Sequence, residues 1–234
     1  MFISSGQTHQ GVTRTNNQDA IFMDDNAGIW IVADGMGGHN AGEVASQVVC
    51  EYLPKNLSYR CQNCQHAIYA VHEQIKALSI QNPEYAGMGA TMIAAVQKGN
   101  DVDLYWSGDC RAYLISSSEC RLLSKDHSAV QKLIDLNIID NDAAKIHPQR
   151  HLVTSCLGGS ISKPDIDNIS ISLPHNETLM LCSDGLYKEL SESEITNILA
   201  KAKHISQASE MLIAKANQHG GRDNISLILI SLPA

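Results

Sequence analysis

A strand, a glycine-rich turn and a helix follow one another between residues 28 and 56, and they restrict the fold more than any other part of the sequence. The segment Gly28–Ala33 is apolar and rich in β-formers, which predicts a buried strand. Asp34 follows at the strand end, and Gly35 and the glycines after it let the backbone approach an ion or a phosphate closely. From Glu43 to about Asn56, apolar residues recur at helical spacing. Such a turn is either a site or an ordinary connector.

The remaining periodicity predicts two blocks of strands around a pair of helices. Strands are predicted at Ala20–Met23, Ala90–Gln97, Val102–Ser107, Ala112–Ile115, Arg121–Leu123, Ile166–Leu173, Thr178–Ser183 and Asn224–Leu232. Helices are predicted at about Gln65–Ile80, His127–Leu136, Ser191–Ala202 and Ser206–Gln218, with an irregular loop over residues 137–150. This order favours an α+β sandwich over alternating βαβ units.

Composition excludes several classes of function. With 234 residues, 44% of them apolar, the chain is expected to form one domain over residues 1–234. A net charge of −8 and the lack of a basic block argue against nucleic-acid binding. No apolar run has the length of a membrane span, and the N-terminus shows no signal peptide. Seven irregularly spaced cysteines favour a reducing cytoplasm.

Five aspartates share one property, a place at a predicted strand boundary beside a small or turn-forming residue. They are Asp19, Asp34, Asp109, Asp184 and Asp223. Carboxylates buried together repel one another unless they are protonated or neutralised by cations. Oxygen ligands favour magnesium or manganese over zinc. Any single Asp-Gly is also a common turn, and sequence separation alone does not show that the five meet.

An ordered set of motifs resembles one protein family. The set comprises Arg14-x-x-Asn17-x-Asp19, Asp34-Gly35-Met36-Gly37-Gly38-His39, Gly87-Met88-Gly89-Ala90-Thr91, Gly108-Asp109-Cys110-Arg111, Asp126-His127-Ser128, Ser183-Asp184-Gly185-Leu186 and Gly221-Arg222-Asp223-Asn224. Over residues 5 to 232 the chain resembles bacterial members of the metal-dependent PPM family, the type 2C serine/threonine protein phosphatases. The resemblance implies a four-layer α-β-β-α sandwich of two antiparallel sheets flanked by helix pairs.

The same resemblance implies a metal centre. Asp34 would bridge two manganese or magnesium ions, and the carbonyl of Gly35 would add a ligand. Asp184 and Asp223 would complete the first site. Two further acids have implied roles: Asp19 would support the second site, and Asp109 with Asp184 would hold a weaker third ion. Two such ions clamp a phosphoryl group for in-line attack by a bridging hydroxide.

The resemblance also implies how substrate is handled. Arg14 would bind the substrate phosphate, where its planar guanidinium can donate two hydrogen bonds. His39 would be a general acid that protonates the leaving oxygen, unless it is only an exposed loop histidine. Thr91 and Asn224 are expected to support the loops. Residues 129–150 correspond to a flap beside the active site and are called the flap segment below.

These features predict a cytoplasmic, monomeric enzyme of signal transduction that hydrolyses phosphoserine and phosphothreonine in proteins. It would reverse phosphorylation by a bacterial serine/threonine kinase. Two alternatives remain. One is a non-catalytic scaffold of the same fold, and the other is a phosphatase for small phosphoesters or for an anti-sigma-factor antagonist.

Two positions depart from the family pattern, and two cysteine features need a separate interpretation. Gln18 stands where glutamate is usual, which predicts a weakened second metal site. Cys110 replaces a serine of similar size. The pair Cys61 and Cys64 is a weak zinc signal without a second pair. Cys182 is expected to be a buried strand residue rather than a nucleophile.

Overall fold

The structure, a computed structural model, describes residues 2–38, 41–57 and 63–232, and in them it places two antiparallel sheets between helices. The first sheet contains β1 (Ile3–His9), β6 (Arg111–Ile115), β7 (Cys120–Leu122), β10 (Thr178–Cys182) and β11 (Ile225–Ser231), in the order β1-β11-β10-β6-β7. The second contains β2 (Asp19–Asp24), β3 (Ile29–Met36), β4 (Gly89–Lys98), β5 (Asp101–Ser107) and β9 (Asp167–Ser172), in that order, and β8 (Leu157–Gly158) pairs with β4.

Four of the described helices form two pairs that cover the outer faces of the sheets. In chain order the described helices are α1 (Ala41–Asn56), α2 (Cys64–Gln81), α3 (Ala129–Asp135), α4 (Asn141–Ile146), α5 (Asp184–Tyr187), α6 (Glu192–Lys201) and α7 (Ile205–Gln218). The helices α1 and α2 lie against the second sheet, whereas α6 and α7 lie against the first. A short 3-10 helix covers Pro83–Tyr85. None of the helices described is both long and apolar enough to cross a bilayer.

The alternation of side chains along β3 explains the layering. Ile31 points to the core shared with α1 and α2, and its neighbours Trp30 and Val32 point to the core between the two sheets. A strand with apolar residues on both faces must be covered on both faces. A third core, containing Met180 and Leu212, lies between the first sheet and α6 with α7. The four-layer α+β prediction is therefore confirmed.

Three local expectations were incomplete or wrong. No strand was predicted over Ile3–His9, because its polar residues do not alternate, yet it pairs with β11 at the sheet edge. The flap segment was expected to be irregular from residue 137, but α4 forms there, and the side chain of Asp140 caps it by accepting a hydrogen bond from Ala143 N (2.8 Å). The one-turn helix α5 was also not predicted.

Candidate active site

Two of the five aspartates lie opposite each other in the second sheet. Asp19 begins β2 and pairs in register with Asp34 of β3, so the two carboxylates occupy neighbouring positions on one face. Next to Asp34, Gly35 N donates to the carbonyl of Gln18 (3.0 Å). A Cβ on Gly35 would lie 1.9 Å from the carbonyl oxygen of Gly42, so only glycine fits between β3 and α1.

A serine joins this pair to the other sheet. Ser183, which follows β10, donates its hydroxyl to Asp19 Oδ2 (2.8 Å) and accepts a hydrogen bond from Ser226 N of β11 (3.0 Å). Asp184 comes next in the chain, as the first residue of α5. A Cβ on Gly185 would lie 2.0 Å from the carbonyl oxygen of Asn224, so α5 is in backbone contact with the loop that carries Asp223.

Asp223 and Asn224 connect the C-terminal strand to the N-terminal loop. Arg14 donates from Nη2 to Asp223 Oδ2 (2.8 Å), and about half of its side chain is exposed. Asn224 donates to the carbonyls of Gln10 and Asn16 (2.9 Å each), and its own side-chain oxygen accepts a hydrogen bond from the backbone N of residue 18 (2.8 Å). The expected loop-supporting role of Asn224 agrees with this geometry.

The fifth aspartate, Asp109, lies in the turn before β6 and is buried. The hydroxyl of Tyr187 in α5 donates to the carbonyl of Asp109 (3.1 Å). The guanidinium of Arg111 lies 3.8 Å from the centre of the Tyr187 ring and is bound by both oxygens of Asp126 (2.9 and 2.8 Å). These contacts hold the Asp109 turn against α5.

The loop that carries Asp223 is held by a residue that follows α5. The carboxylate of Glu189, two residues after α5, accepts hydrogen bonds from the backbone N of Arg222 (3.1 Å) and from two of its guanidinium nitrogens (2.8 and 2.9 Å). His219 Nδ1 lies 2.9 Å from the carbonyl of Glu189. The segments that carry Asp184 and Asp223 are therefore joined by side chains as well as by backbone.

The site is strongly acidic, and burial raises the pKa values of three of its carboxylates. Burial, opposed by hydrogen bonds from serines, raises the pKa of Asp19 to about 7. Burial together with the charge of Asp184 raises the pKa of Asp109 to about 7. For Asp34, burial and the charge of Asp19 raise the pKa well above its ordinary value. All three shifts have the same physical meaning, since a buried carboxylate without enough positive charge nearby favours its neutral form.

The donor chemistry of this cluster fits divalent cations. Its side-chain ligands are all oxygens, and two of these, Asp19 Oδ1 and Asp184 Oδ1, are buried without a hydrogen-bond partner among the described residues. Within those same residues, no three histidine, cysteine or carboxylate side chains form a preassembled ligand set. Binding therefore requires some carboxylates to reorient. The unsatisfied oxygens still indicate a cation site, because side chains rotate easily whereas buried polar atoms without partners are rare.

Two residues near the acids were missed by the sequence interpretation. Lys188 Nζ forms an ion pair with Asp184 Oδ2, four residues earlier. His151 follows the flap segment, and its pKa is lowered by burial and by the cations Lys188 and Arg150, against the charges of Asp184 and Asp223. The i,i+4 spacing of Lys188 was a possible signal, but it required knowing that α5 exists.

Several predicted residues have no part in the described cluster. His39 and Cys61 lie outside the described residues. Cys64 is buried in the core beneath α2. Cys182 is fully buried at the end of β10, where burial raises its thiol pKa, as expected for a structural cysteine. Thr91 Oγ1 lies 3.2 Å from the Sγ of Cys110, which agrees with a supporting role.

A surface cavity of about 480 Å³ lies apart from the acids. It is lined by residues that include Tyr69, His127, Thr154, Lys163 and Asp167, and by none of the five aspartates. The chemistry of the carboxylate cluster, rather than the size of a cavity, therefore identifies the candidate site.

Comparisons with known proteins all indicate one protein family. A family model described as "Protein phosphatase 2C" matches residues 6–220. Serine/threonine phosphatase stp of Listeria monocytogenes is 34% identical over 236 residues, which covers 96% of this chain and 93% of that protein. Serine/threonine phosphatase Stp1 from Staphylococcus aureus has a similar crystal structure, with a TM-score of 0.91 and 31% identity over 100% of this chain and 96% of that chain. The catalytic domain of PstP, solved with two manganese ions, gives a TM-score of 0.86 at 29% identity over 100% of this chain and 99% of that chain.

Proposed function

The chain belongs to the protein phosphatase 2C family of metal-dependent serine/threonine phosphatases, and from this premise we propose how its own residues carry out that activity. Asp34 with the carbonyl of Gly35, and the carboxylates of Asp184 and Asp223, would hold a first divalent cation. Asp34 would also contribute to a second, which Asp19 would support. The observation that carries this proposal is the register of Asp19 with Asp34, joined through Ser183 to the other sheet, with two buried carboxylate oxygens left unsatisfied.

We propose that the site takes two ions, either manganese or magnesium. PstP was crystallised with two manganese ions, which supports the number and the element for this chain. When bound, such ions lower the pKa of a water molecule so that it attacks phosphorus near neutral pH, and they neutralise charge on the phosphoryl oxygens. Every other step depends on the side chains of the chain itself.

Arg14 binds the phosphate of the substrate in this proposal. Its side chain is about half exposed and forms an ion pair with Asp223. The hydrogen bond to that carboxylate raises the pKa of the guanidinium. A planar guanidinium can release one carboxylate oxygen and instead donate two hydrogen bonds to phosphate oxygens in the same plane. His39 remains the proposed proton donor to the leaving oxygen.

The wider setting is also part of the proposal. The enzyme acts in the cytoplasm as a monomer, in signal transduction, and reverses phosphorylation of a bacterial serine/threonine kinase or its targets. It forms one domain over residues 1–234, with the flap segment beside the active site. Neither nucleic acid nor a membrane is a partner.

Hydrolysis assays test the metal-dependent function directly. We expect the parent chain with Mn²⁺ to hydrolyse a phosphothreonine peptide, and excess chelator to abolish the activity. Asp34→Asn should reduce kcat/KM by more than about 100-fold, because even outer-shell partners of a metal contribute about 10–100-fold. The matched control is Asp101→Asn, at the far end of β5, where the side chain accepts a hydrogen bond from Ser172.

The outcomes separate the alternatives. Activity that resists both chelator and Asp34→Asn would rule out the two-metal mechanism. Turnover of an aryl phosphate without turnover of the peptide would favour the small-phosphoester alternative. Bound Mn²⁺ with no turnover of any phosphoester would favour the non-catalytic scaffold.

A further inference from the structure

A lysine enters the acidic cluster from α5. Lys188 directly follows α5 as its C-cap, and its ammonium pairs with Asp184, four residues earlier. The pair is partly enclosed, since the side chain of Lys188 is 32% exposed and that of Asp184 only 13%. The charge of Lys188 also acts on Asp109 and Asp34. The lysine is therefore within electrostatic reach of three of the five aspartates.

The fold keeps Asp109 and Asp184 close to each other independently of any ion. Tyr187, between Asp184 and Lys188 in the chain, donates its hydroxyl to the carbonyl of Asp109. The stacking of Arg111 on Tyr187 fixes the same turn. Because the backbone holds these two acids together, their mutual repulsion cannot be relieved by separation. It is relieved either by protonation or by a nearby positive charge.

Other cations near this pair are already engaged with different carboxylates. Arg111 is bound by both oxygens of Asp126, and Arg14 is bound to Asp223. Lys188 has Asp184 as its direct partner and caps the C-terminal end of α5, which is hydrogen-bonded to the Asp109 turn. Its position is thus set by the same element that positions Asp184.

We propose that Lys188 is a built-in cation for the Asp109–Asp184 pair, where it takes the place of the weaker third divalent ion that this pair would otherwise hold. This inference rests on the proposed function, because it assumes that the other carboxylates bind two ions. A divalent ion at the pair has to displace the ammonium from Asp184 and then stay beside it. Both requirements weaken the third site in this chain.

Counting bound Mn²⁺ tests the inference without an activity assay. Free Mn²⁺ is measured by electron paramagnetic resonance during titration of the folded parent chain, Lys188→Met, Lys188→Gln and Lys188→Arg. We expect two ions in the parent chain and in Lys188→Arg. In Lys188→Met and Lys188→Gln we expect a third ion, bound about 10–100-fold more tightly than any third ion in the parent, the usual size of an effect from a residue beside a metal ligand.

The control removes a lysine that pairs with an aspartate elsewhere. Lys145 pairs with Asp142 in α4, where both side chains are exposed, and Lys145→Met should titrate like the parent. A parent chain that binds two ions, with Lys188→Met and Lys188→Gln unchanged, would overturn this inference and leave the proposed function intact. Three ions in the parent, or a third ion in Lys188→Arg, would also overturn it. A parent chain that binds no Mn²⁺ would overturn the proposed function together with the inference.

Discussion

Gln18 is a position where one side chain would adjust the proposed metal centre without changing the fold. Its backbone accepts a hydrogen bond from Gly35 N and donates one to Asn224, so its position is fixed by both. A Cβ on Gly42 would lie 2.8 Å from Gln18 Nε2, which places the amide between β2 and α1. The amide brings no negative charge beside Asp19, so a cation there is held less strongly than beside glutamate.

Gln18→Glu should therefore strengthen the second metal site. We expect Mn²⁺ affinity to rise by about 10–100-fold, the range typical of outer-shell carboxylates. Isothermal titration calorimetry measures this affinity. Gln97→Glu is the control, since Gln97 lies at the far end of β4 and its side-chain amide donates to the carbonyl of Gly99. Identical isotherms for Gln18→Glu and the parent would show that this position does not weaken the site.

The close approach of β3 to α1 depends on glycines. Gly35 is both the residue after Asp34 and the point where the strand backbone meets Gly42 of the helix. Gly38 lies three residues later in the same turn, but a Cβ there would meet no described atom within 4 Å. Packing among the described residues therefore requires glycine at position 35 but not at position 38.

Gly35→Ala should lower the free energy of unfolding by about 3 kcal/mol, since backbone atoms have to shift to admit the methyl group. Gly38→Ala, its matched control, should change that free energy by no more than about 0.5 kcal/mol. Urea unfolding followed by circular dichroism compares the two. Equal stability of both variants would mean that β3 and α1 separate at little cost.

The assembled molecule brings acids from both sheets to one place. Asp19 and Asp34 come from the second sheet, whereas Asp109, Asp184 and Asp223 lie at the ends of strands in the first. Ions bound among them would therefore connect the two halves of the sandwich. Metal binding and stability of the whole fold should be coupled, because an ion that binds only the native state stabilises it.

This coupling should depend on pH. The pKa of Asp19 and that of Asp109 are raised to about 7, so in the metal-free protein these acids stabilise the fold at low pH. Their contribution declines as pH rises from about 4, the ordinary value, to about 7. Below pH 7 an ion must first displace the protons of these two carboxyl groups. Stabilisation by Mn²⁺ should therefore be larger at pH 8 than at pH 6.

Thermal unfolding with Mn²⁺ and with chelator, at both pH values, measures the effect. At a Mn²⁺ concentration of about 100 times Kd, the gain in Tm should be roughly 5–10 °C. Asp34→Asn serves as the control, and Mn²⁺ should raise its Tm much less than that of the parent chain. Equal gains at pH 6 and pH 8 would contradict the raised pKa values.

Short-range patterns were enough to predict much of this protein, and contacts between distant segments account for the rest. Alternation along β3 and the helical spacing in α1 are local properties, so both elements and the four-layer class followed from the residues and the family resemblance. The strand Ile3–His9 has no such pattern, and its hydrogen bonds to β11 depend on a partner more than 200 residues away. Likewise, the motifs identified Asp184, but the pairing of Lys188 with it needs the one-turn helix α5. That helix forms where β10, the Asp109 turn and the Asp223 loop meet, a set of contacts that no local pattern encodes.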